Sequence, residues 1–492
     1  MKIMLVNPII RPDQPPGDFP VGLGIIAEIM RREGHDVRVY DENALRPDRE
    51  TFQRDLAAMD EPDVVGVGGL ITIYGHLKGL LPALKDRFPR ATLVLGGGVT
   101  IEPDVIFENM PVDYCVHGEG EHTFRELCAA LDASAAKDLP GIKGISFRDR
   151  VNGGLVVTPP RPIERNLDLF PMPAYDLFPA ETYFRNNRGE VAFWSKNADV
   201  QRCATLVWSR GCPNECSFCW RMMGRTVRFR SMDKVMEEIA HLRSRYGVDS
   251  YLFVDECINA ARVKSVEFAE RLVREGYAAP WYSHARADRF DPELAALFRR
   301  SGCVGLNFGI ESGNEIILAT MKKRASPEKA AAAIAIAREA GIGAQCTFII
   351  GTPGESRATV RDSVRWIRKN KVRHFYFFYF TPYPGCEEYH RPETQERIRR
   401  RYGSKDAYFS VLGDAYKLVV NLTGVSDARL TKWREWAFRA ARESAWERGK
   451  RRVASLASLA GKALKLLVQP SRWRAALGNR LRRGGWYEFR SP

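Results

Sequence analysis

The chain alternates twice between short apolar runs and segments of helical length, and this rhythm limits the folds open to its 492 residues. Runs separated by helices are the pattern of βαβ units, which build parallel sheets covered by helices. The sequence therefore predicts an α/β fold that opens with a doubly wound, Rossmann-like or flavodoxin-like domain over residues 1–140. The apolar runs of that domain are 3–6, 37–40, 64–67 and 93–95.

A second alternation follows a stretch in which residues 158–179 contain six prolines and show no helical or alternating period. We expect a connector over residues 141–200. Six βα units then predict a partial (β/α)6 barrel of the TIM type over residues 201–385, with functional groups in the loops after the strands. Its strand candidates are 204–208, 251–254, 281–284, 304–308, 345–350 and 375–380.

The C-terminal region is predicted to be helical over residues 386–447 and to end in a basic tail over residues 448–492. The tail has twelve Lys or Arg residues and one Glu, so it carries most of the net charge of +15. Its leucines recur at helical spacing near Trp473 and Trp486, which is typical of a helix on an anionic membrane surface. A helix that caps the barrel, or a loosely ordered tail, fits equally well. Without a recognition module, we do not expect nucleic acid as a partner.

The expected location is cytoplasmic, with peripheral attachment to the inner face of the membrane as the finer alternative. No run of 18 apolar residues occurs, and Met1 leads directly into a strand-like run, so neither a membrane span nor a secretory signal is predicted. Ten cysteines in a reducing compartment serve as metal ligands or core residues more often than in disulfides.

The most specific motif is Cys212, Cys216 and Cys219, with the spacing Cys-x3-Cys-x2-Cys, directly after the first barrel strand. Three thiolates on one loop can hold a soft metal centre. A structural zinc ion needs a fourth ligand, and no second cysteine or histidine pair follows at zinc-finger spacing. The spacing therefore predicts a [4Fe–4S] cluster with one iron left open.

This triplet resembles the signature of the radical S-adenosylmethionine enzymes. The resemblance implies that the open iron binds the amino and carboxylate groups of S-adenosylmethionine, and that an electron from the cluster splits this cofactor into methionine and a 5′-deoxyadenosyl radical. Further residues match positions along the cofactor in that family. They are Asp255 and Glu256 after the second barrel strand, Arg286 after the third, Glu311 and Ser312 after the fourth, and Lys323.

The first domain resembles the cobalamin-binding domain of the cobalamin-dependent members of this family, so the resemblance covers about residues 1–385. Classical cobalamin domains place a histidine below the cobalt, whereas this chain has Asn43 at that position. The resemblance thus implies cobalamin without a histidine as its lower ligand. A doubly wound domain that binds nothing, or that only mediates assembly, is the alternative. The residues expected to contact cobalamin are Gly68, Gly69, Gly96, Gly97, Gly98 and Glu119.

The function implied by both resemblances is a methyltransferase. The adenosyl radical would remove hydrogen from an unactivated carbon of a small-molecule or lipid substrate, such as a hopanoid-like lipid, and that carbon would take the methyl group of methylcobalamin. A ring-forming enzyme similar to the anaerobic magnesium-protoporphyrin monomethyl ester cyclase is one alternative, and a non-catalytic iron–sulfur protein is another. A flavodoxin or ferredoxin is the implied electron donor.

Overall fold

The first sheet is organised around a strand whose side chains are almost all buried. In the computed structural model, which describes residues 1–133, 136–149, 151–196 and 199–443, β1 (Lys2–Asn7) exposes only its first residue. It pairs in parallel with β2 (Asp36–Asp41) on one side and β3 (Val64–Gly68) on the other. The sheet continues with β4 (Thr92–Gly96), β5 (Tyr114–Val116), β6 (Ile145–Arg148) and β7 (Leu155–Val157), in the order β2-β1-β3-β4-β5-β6-β7.

The doubly wound prediction is confirmed, but the sheet extends beyond the boundary predicted at residue 140. Strands β6 and β7 pair antiparallel at its edge and are joined by a turn around Asn152 and Gly153. Such an Asn-Gly turn between two short apolar runs is a hairpin signal that the surrounding prolines obscured. The helices of this domain are α1 (Val21–Arg32), α2 (Glu42–Leu45), α3 (Arg49–Ala57), α4 (Tyr74–Arg87), α5 (Pro103–Asn109) and α6 (Gly120–Asp132).

The connector is not extended throughout, because it contains α7 (Ala180–Asn186) and α8 (Arg188–Ser195). Trp194 of α8 packs on two glycines of the second sheet. A Cβ on Gly343 would lie 1.9 Å from its ring, and one on Gly305 would lie 2.7 Å away. Those glycines make room for the indole, so the connector closes one end of the second domain.

The second domain is a sheet of six parallel strands, as predicted for the partial barrel. Within the described residues its order is β15-β14-β13-β12-β11-β8, and a two-stranded ribbon of β9 and β10 stands beside it. The strands are β8 (Cys203–Leu206), β9 (Ser209–Arg210), β10 (Arg228–Phe229), β11 (Ser250–Phe253), β12 (Trp281–Ala285), β13 (Cys303–Glu311), β14 (Gly343–Ile350) and β15 (His374–Tyr379).

Helices follow the strands of this sheet, and five of the six helices begin at a side-chain cap. The hydroxyl groups of Ser231, Ser326 and Ser356 accept hydrogen bonds from backbone N–H groups in the first helical turns. These contacts fix where each loop ends and its helix starts. The helices are α9 (Met232–Tyr246), α10 (Arg262–Arg274), α11 (Pro292–Arg300), α12 (Glu315–Thr320), α13 (Pro327–Glu339) and α14 (Arg357–Lys369).

The C-terminal segment is helical as predicted, with α15 (Pro392–Tyr402), α16 (Lys405–Ser410) and α17 (Asp427–Arg442). Instead of forming a separate core, α16 packs on α4, where the Tyr74 hydroxyl donates to Asp406 at 2.7 Å. Periodicity in the sequence predicts which face of a helix is apolar, but it does not predict which element packs against that face. The basic tail lies outside the described residues, and among those described no helix is long and apolar enough to cross a membrane.

Candidate functional site

The cysteine loop is closed at its base by the ribbon of β9 and β10. Arg210 and Arg228 are paired across this ribbon. Gly211 follows with a φ of 96°, and a Cβ there would lie 2.3 Å from the carbonyl oxygen of Thr226. Only glycine fits such a position. The ribbon therefore holds both ends of the loop that carries the three cysteines.

The three thiols lie within one another's electrostatic influence. Cys216 is buried, whereas Cys212 and Cys219 are partly accessible. Burial raises the pKa of Cys216, and burial with the charges of the other two thiols raises the pKa of Cys219 to about 12. The side-chain amide of Asn214 donates to the Cys212 sulfur at 3.2 Å. Three converging sulfur donors with partial access suit an iron–sulfur cluster.

These donors do not form a site for a single ion. In the described part of the chain, no three His, Cys, Asp or Glu side chains lie close enough to hold one metal ion. Structural zinc requires four ligands around one ion, whereas each cysteine of a cubane binds a different iron and can stand farther from the others. The residues present therefore fit a [4Fe–4S] cluster better than zinc.

A buried ion pair lies beside the thiols. Lys323 Nζ is 3.0 Å from Glu311 Oε1, and each side chain is 10% exposed. Glu311 ends β13 with a φ of 65°, where the pairing with β14 is irregular. Burial lowers the pKa of Lys323, but the negative charges of Glu311 and Cys216 outweigh burial and keep this pKa above its usual value. The Lys323 ammonium, the Glu311 carboxylate and the Cys216 thiol thus lie in one pocket.

Arg286 and Ser312 join this pocket from neighbouring strands. The charge of Arg286 acts on the pKa of Cys216, and its guanidinium donates to Asp288 at 2.8 Å and to the Lys323 carbonyl at 3.4 Å. Ser312 lines a narrow cavity together with Arg286 and Lys323. The structure therefore brings together four of the residues predicted to contact S-adenosylmethionine; the contact itself stays a prediction.

Asp255 and Glu256 instead hold the start of the cysteine loop. Asp255 is 1% exposed and accepts hydrogen bonds from the Ser209 hydroxyl, at 2.6 Å, and from the Ser209 backbone N–H. Glu256 accepts a hydrogen bond from the Gly211 N–H at 2.9 Å. Both carboxylates are engaged by residues 209–211, and a direct contact with the cofactor stays a prediction.

The burial of Asp255 predicts a pH dependence of stability. Burial raises the pKa of Asp255 from 3.8 to about 6. A carboxyl group with a higher pKa in the folded state favours folding at low pH, and this contribution is lost as the pH rises through the folded pKa. Relative to Asp255→Asn, the wild type should gain about 1.4 kcal/mol of unfolding free energy between pH 8 and pH 5, measured with urea. A flat or reversed difference would contradict the protonation of Asp255.

Three of the five predicted glycines, Gly68, Gly96 and Gly97, line a cavity at the carboxyl ends of the first sheet, whereas Gly69 and Gly98 stand behind them. Gly68 and Gly96 end β3 and β4, and both border a cavity of about 200 Å³. Gly97 has a φ of 85°, and a Cβ there would lie 2.6 Å from the Gly69 carbonyl oxygen, so the two turns touch through their backbones. A Cβ on Gly98 would clash with the indole ring of Trp220, 2.6 Å away. We call this apolar cavity the glycine cavity, or cradle. Its glycines contribute backbone without side chains to the walls, which suits one face of a large planar ligand such as cobalamin.

The cysteine loop forms one wall of this cradle. Met222 and Met223, which follow the third cysteine, line the same cavity as the glycines. Trp220 lies between Gly98 and Gly385, where added Cβ atoms would come within 2.6 Å and 2.5 Å of its ring. A ligand in the cradle would therefore touch the loop that carries the cluster cysteines.

The predicted cobalamin contact Glu119 is bound to arginines of the ribbon. It lies 3.2 Å from Arg210 and 2.7 Å from Arg228, and Glu121 lies 2.6 Å from Arg210. Burial raises the pKa of Glu119, but Arg228 and Arg210 outweigh burial and hold that pKa below its usual value. Glu119 is therefore an ionised partner of both arginines; a contact with cobalamin stays a prediction.

Asn43, at the position of the classical histidine, is part of a hydrogen-bonded network. It accepts from the Ile10 N–H at 3.1 Å and donates to the Tyr183 hydroxyl at 3.2 Å. Among the described residues that line the glycine cavity there is no histidine. The described lining of this cavity thus offers no counterpart of the classical histidine.

Six residues of this site were not predicted from the sequence: Arg210, Arg228, Trp220, Met222, Met223 and Glu121. Arg210 and Trp220 directly flank the cysteine motif, so proximity to the motif was an available signal. Glu121 lies two residues from the predicted contact Glu119, which was a similar signal, whereas Arg228 carried none because its partner Glu119 lies 109 residues away in the chain. A pairing at that separation depends on the fold.

Comparisons with known proteins agree with this geometry. The B12 binding domain matches residues 19–128, and the radical SAM superfamily matches residues 206–367. An uncharacterized methyltransferase of Pyrococcus horikoshii is 32% identical over 373 residues, which are 74% of this chain and 76% of that protein. Cytidylyl-2-hydroxyethylphosphonate methyltransferase of Streptomyces wedmorensis is 27% identical in an alignment of length 481 that covers 87% of each chain.

A solved structure shares the fold. It is the radical S-adenosylmethionine methyltransferase TsrM of Kitasatospora setae, with cobalamin and a [4Fe–4S] cluster bound. The TM-score is 0.66 at 22% sequence identity, and the match covers 82% of this chain and 79% of that one. At this identity the likeness concerns the fold alone.

Proposed function

Because this chain belongs to the cobalamin-dependent radical S-adenosylmethionine enzymes, we propose that it transfers a methyl group to an unactivated carbon of its substrate. The predicted family and its three cofactors, the cluster, S-adenosylmethionine and cobalamin, are confirmed. The transfer itself rests on one observation in particular. The glycine cradle and the cysteine loop share a wall, so the two cofactor sites adjoin.

The residues of this chain have separate tasks in such a reaction. When bound, the reduced cluster supplies a 5′-deoxyadenosyl radical from S-adenosylmethionine, and cobalamin supplies a methyl group. Lys323 and Arg286 offer positive charge beside Cys216, where a carboxylate would dock. Glu311 keeps Lys323 ionised in its buried position. Met222 and Met223 line the cradle from the barrel side, where they would exclude water from a bound cofactor.

The proposal predicts two products from S-adenosylmethionine. With reductant, substrate and isotopically labelled methyl groups, the reconstituted enzyme should form both S-adenosylhomocysteine and 5′-deoxyadenosine, and the label should enter the product. Mass spectrometry of the reaction mixture measures all three. Turnover without S-adenosylhomocysteine, or product without label, would exclude methyl transfer and favour ring formation.

The substrate is proposed to be a small molecule. A lipid substrate and contact with a membrane depend on the basic tail, which lies outside the described residues. Both stay predictions, as does an electron donor of the flavodoxin or ferredoxin type.

A further inference from the structure

Four buried charges join the ribbon of the cysteine loop to the first domain. We call Arg210, Arg228, Glu119 and Glu121 the charge clamp. Their side chains are 10%, 2%, 9% and 5% exposed, so the whole group is withdrawn from water. Burying charges is costly unless each has a partner. The position of the clamp is therefore strongly determined by its pairing.

The arginines and the glutamates of the clamp stabilise one another. Arg210 and Arg228 stand directly opposite each other on β9 and β10. Like charges at such positions repel. Glu119 resolves this repulsion, because its two oxygens receive Arg210 at 3.2 Å and Arg228 at 2.7 Å and 2.8 Å. The ribbon is thus stable in this form only while the loop of Glu119 is in place.

Each end of the clamp reaches one of the two cofactor sites. Glu119 and Glu121 border Gly120, and all three residues line the glycine cavity. Arg228 also donates to the carbonyl of Met223 at 2.9 Å, and Met223 lies in the cavity wall. At the other end, Arg210 is two residues before Cys212. Three of the four clamp residues therefore line the cradle, Arg228 is bonded to its wall through Met223, and the clamp holds the base of the cysteine loop.

We propose that the charge clamp couples the two cofactor sites, so that filling the glycine cavity with cobalamin favours cluster binding by the cysteine loop and the reverse. This inference rests on the proposed function, since it assumes both cofactors. A ligand in the cavity fixes the loop of Glu119, which fixes Arg210 and Arg228 and so the base of the cysteine loop. Coupling between two sites is reciprocal, and values of 5- to 150-fold are typical. The four residues of the charge clamp are thus positioning residues.

The test compares cobalamin affinity with and without the cluster. Hydroxocobalamin is titrated anaerobically into the cluster-loaded enzyme and into enzyme whose iron has been chelated, and its absorption spectrum reports binding. For the wild type, we expect about tenfold tighter binding to the loaded enzyme. In Glu119→Gln this ratio should fall to about one. Equal affinities in the wild type, or an unchanged ratio in Glu119→Gln, would overturn the proposal.

Control variants separate coupling from general damage. Glu293→Gln removes an exposed partner of Arg262, 2.6 Å away, and should keep the wild-type ratio. If Glu119→Gln does not fold, Glu121→Gln still removes one contact of Arg210 and should give an intermediate ratio. Arg228→Lys keeps the charge and should preserve more coupling than Arg228→Met. A clamp variant that folds with the wild-type ratio would count against the proposal.

The outcome is independent of the reaction. Cobalamin binding and iron content are measured without substrate and without turnover. An enzyme that binds both cofactors cooperatively but forms no S-adenosylhomocysteine would refute the proposed function and leave the clamp intact. An enzyme that transfers methyl groups but binds the two cofactors independently would support the proposed function and refute the coupling.

Discussion

Replacing Cys216 by alanine is expected to reduce both 5′-deoxyadenosine and methylated product to the background of the assay. Cys216 is the buried thiol of the three, and Lys323, Arg286 and Glu311 all act on its pKa. It therefore stands where the cluster meets the proposed cofactor pocket. A cubane held by three thiolates has no spare ligand, and the loss of one leaves the cluster unstable. Anaerobic product analysis by mass spectrometry and iron per protein are the two measurements.

A matched cysteine variant shows whether the effect belongs to the cluster. Cys346 is also buried but lies within β14, so Cys346→Ala shortens a core side chain without touching the cysteine loop. Its iron content and product yield should stay near those of the wild type. Full activity of Cys216→Ala, or zinc in place of iron in the wild type, would remove the radical mechanism and leave the barrel with another function.

Both parallel sheets were predictable because their strands are buried on two sides. Such strands appear as short continuous apolar runs, and helices of standard length must connect them. The six barrel strands accordingly lie within a few residues of where the sequence predicted them. Strand β5 and the antiparallel β6 and β7 were not predicted, because their apolar runs are short and because β6 and β7 lie near prolines.

The cofactor set was predictable from local motifs, whereas the connections between its sites were not. Three cysteines on one loop are visible in the sequence because chain geometry alone brings them together. The partners of Glu119 lie on β9 and β10, and Trp194 packs on glycines more than 100 residues later. Periodicity in the sequence does not predict contacts between residues so far apart in the chain. Asp255 and Glu256 illustrate the same limit, since the strand-end position was predictable but the hydrogen bonds to Ser209 and Gly211 depended on the ribbon.

Replacing Lys323 by methionine should destabilise the protein by about 3–5 kcal/mol, because it leaves the Glu311 carboxylate buried without its partner. The pair is 3.0 Å apart and nearly withdrawn from solvent. Glu311→Gln alone should cost less, since the amide oxygen of Gln can still accept a hydrogen bond from the Lys323 ammonium, whereas Met offers the Glu311 carboxylate no donor. Urea unfolding of the three proteins under anaerobic conditions measures these differences.

The double variant Glu311→Gln/Lys323→Met separates stability from binding. With both charges removed, no unpaired charge remains buried, so most of the lost unfolding free energy should return. If Lys323 binds the carboxylate of S-adenosylmethionine, affinity for this cofactor should nevertheless stay about 10- to 100-fold lower than in the wild type, the loss expected for a charged hydrogen bond. Equilibrium binding to the cluster-loaded protein measures it. Wild-type affinity in the stable double variant would show that Lys323 serves only to neutralise Glu311, and the carboxylate would then have to dock at Arg286.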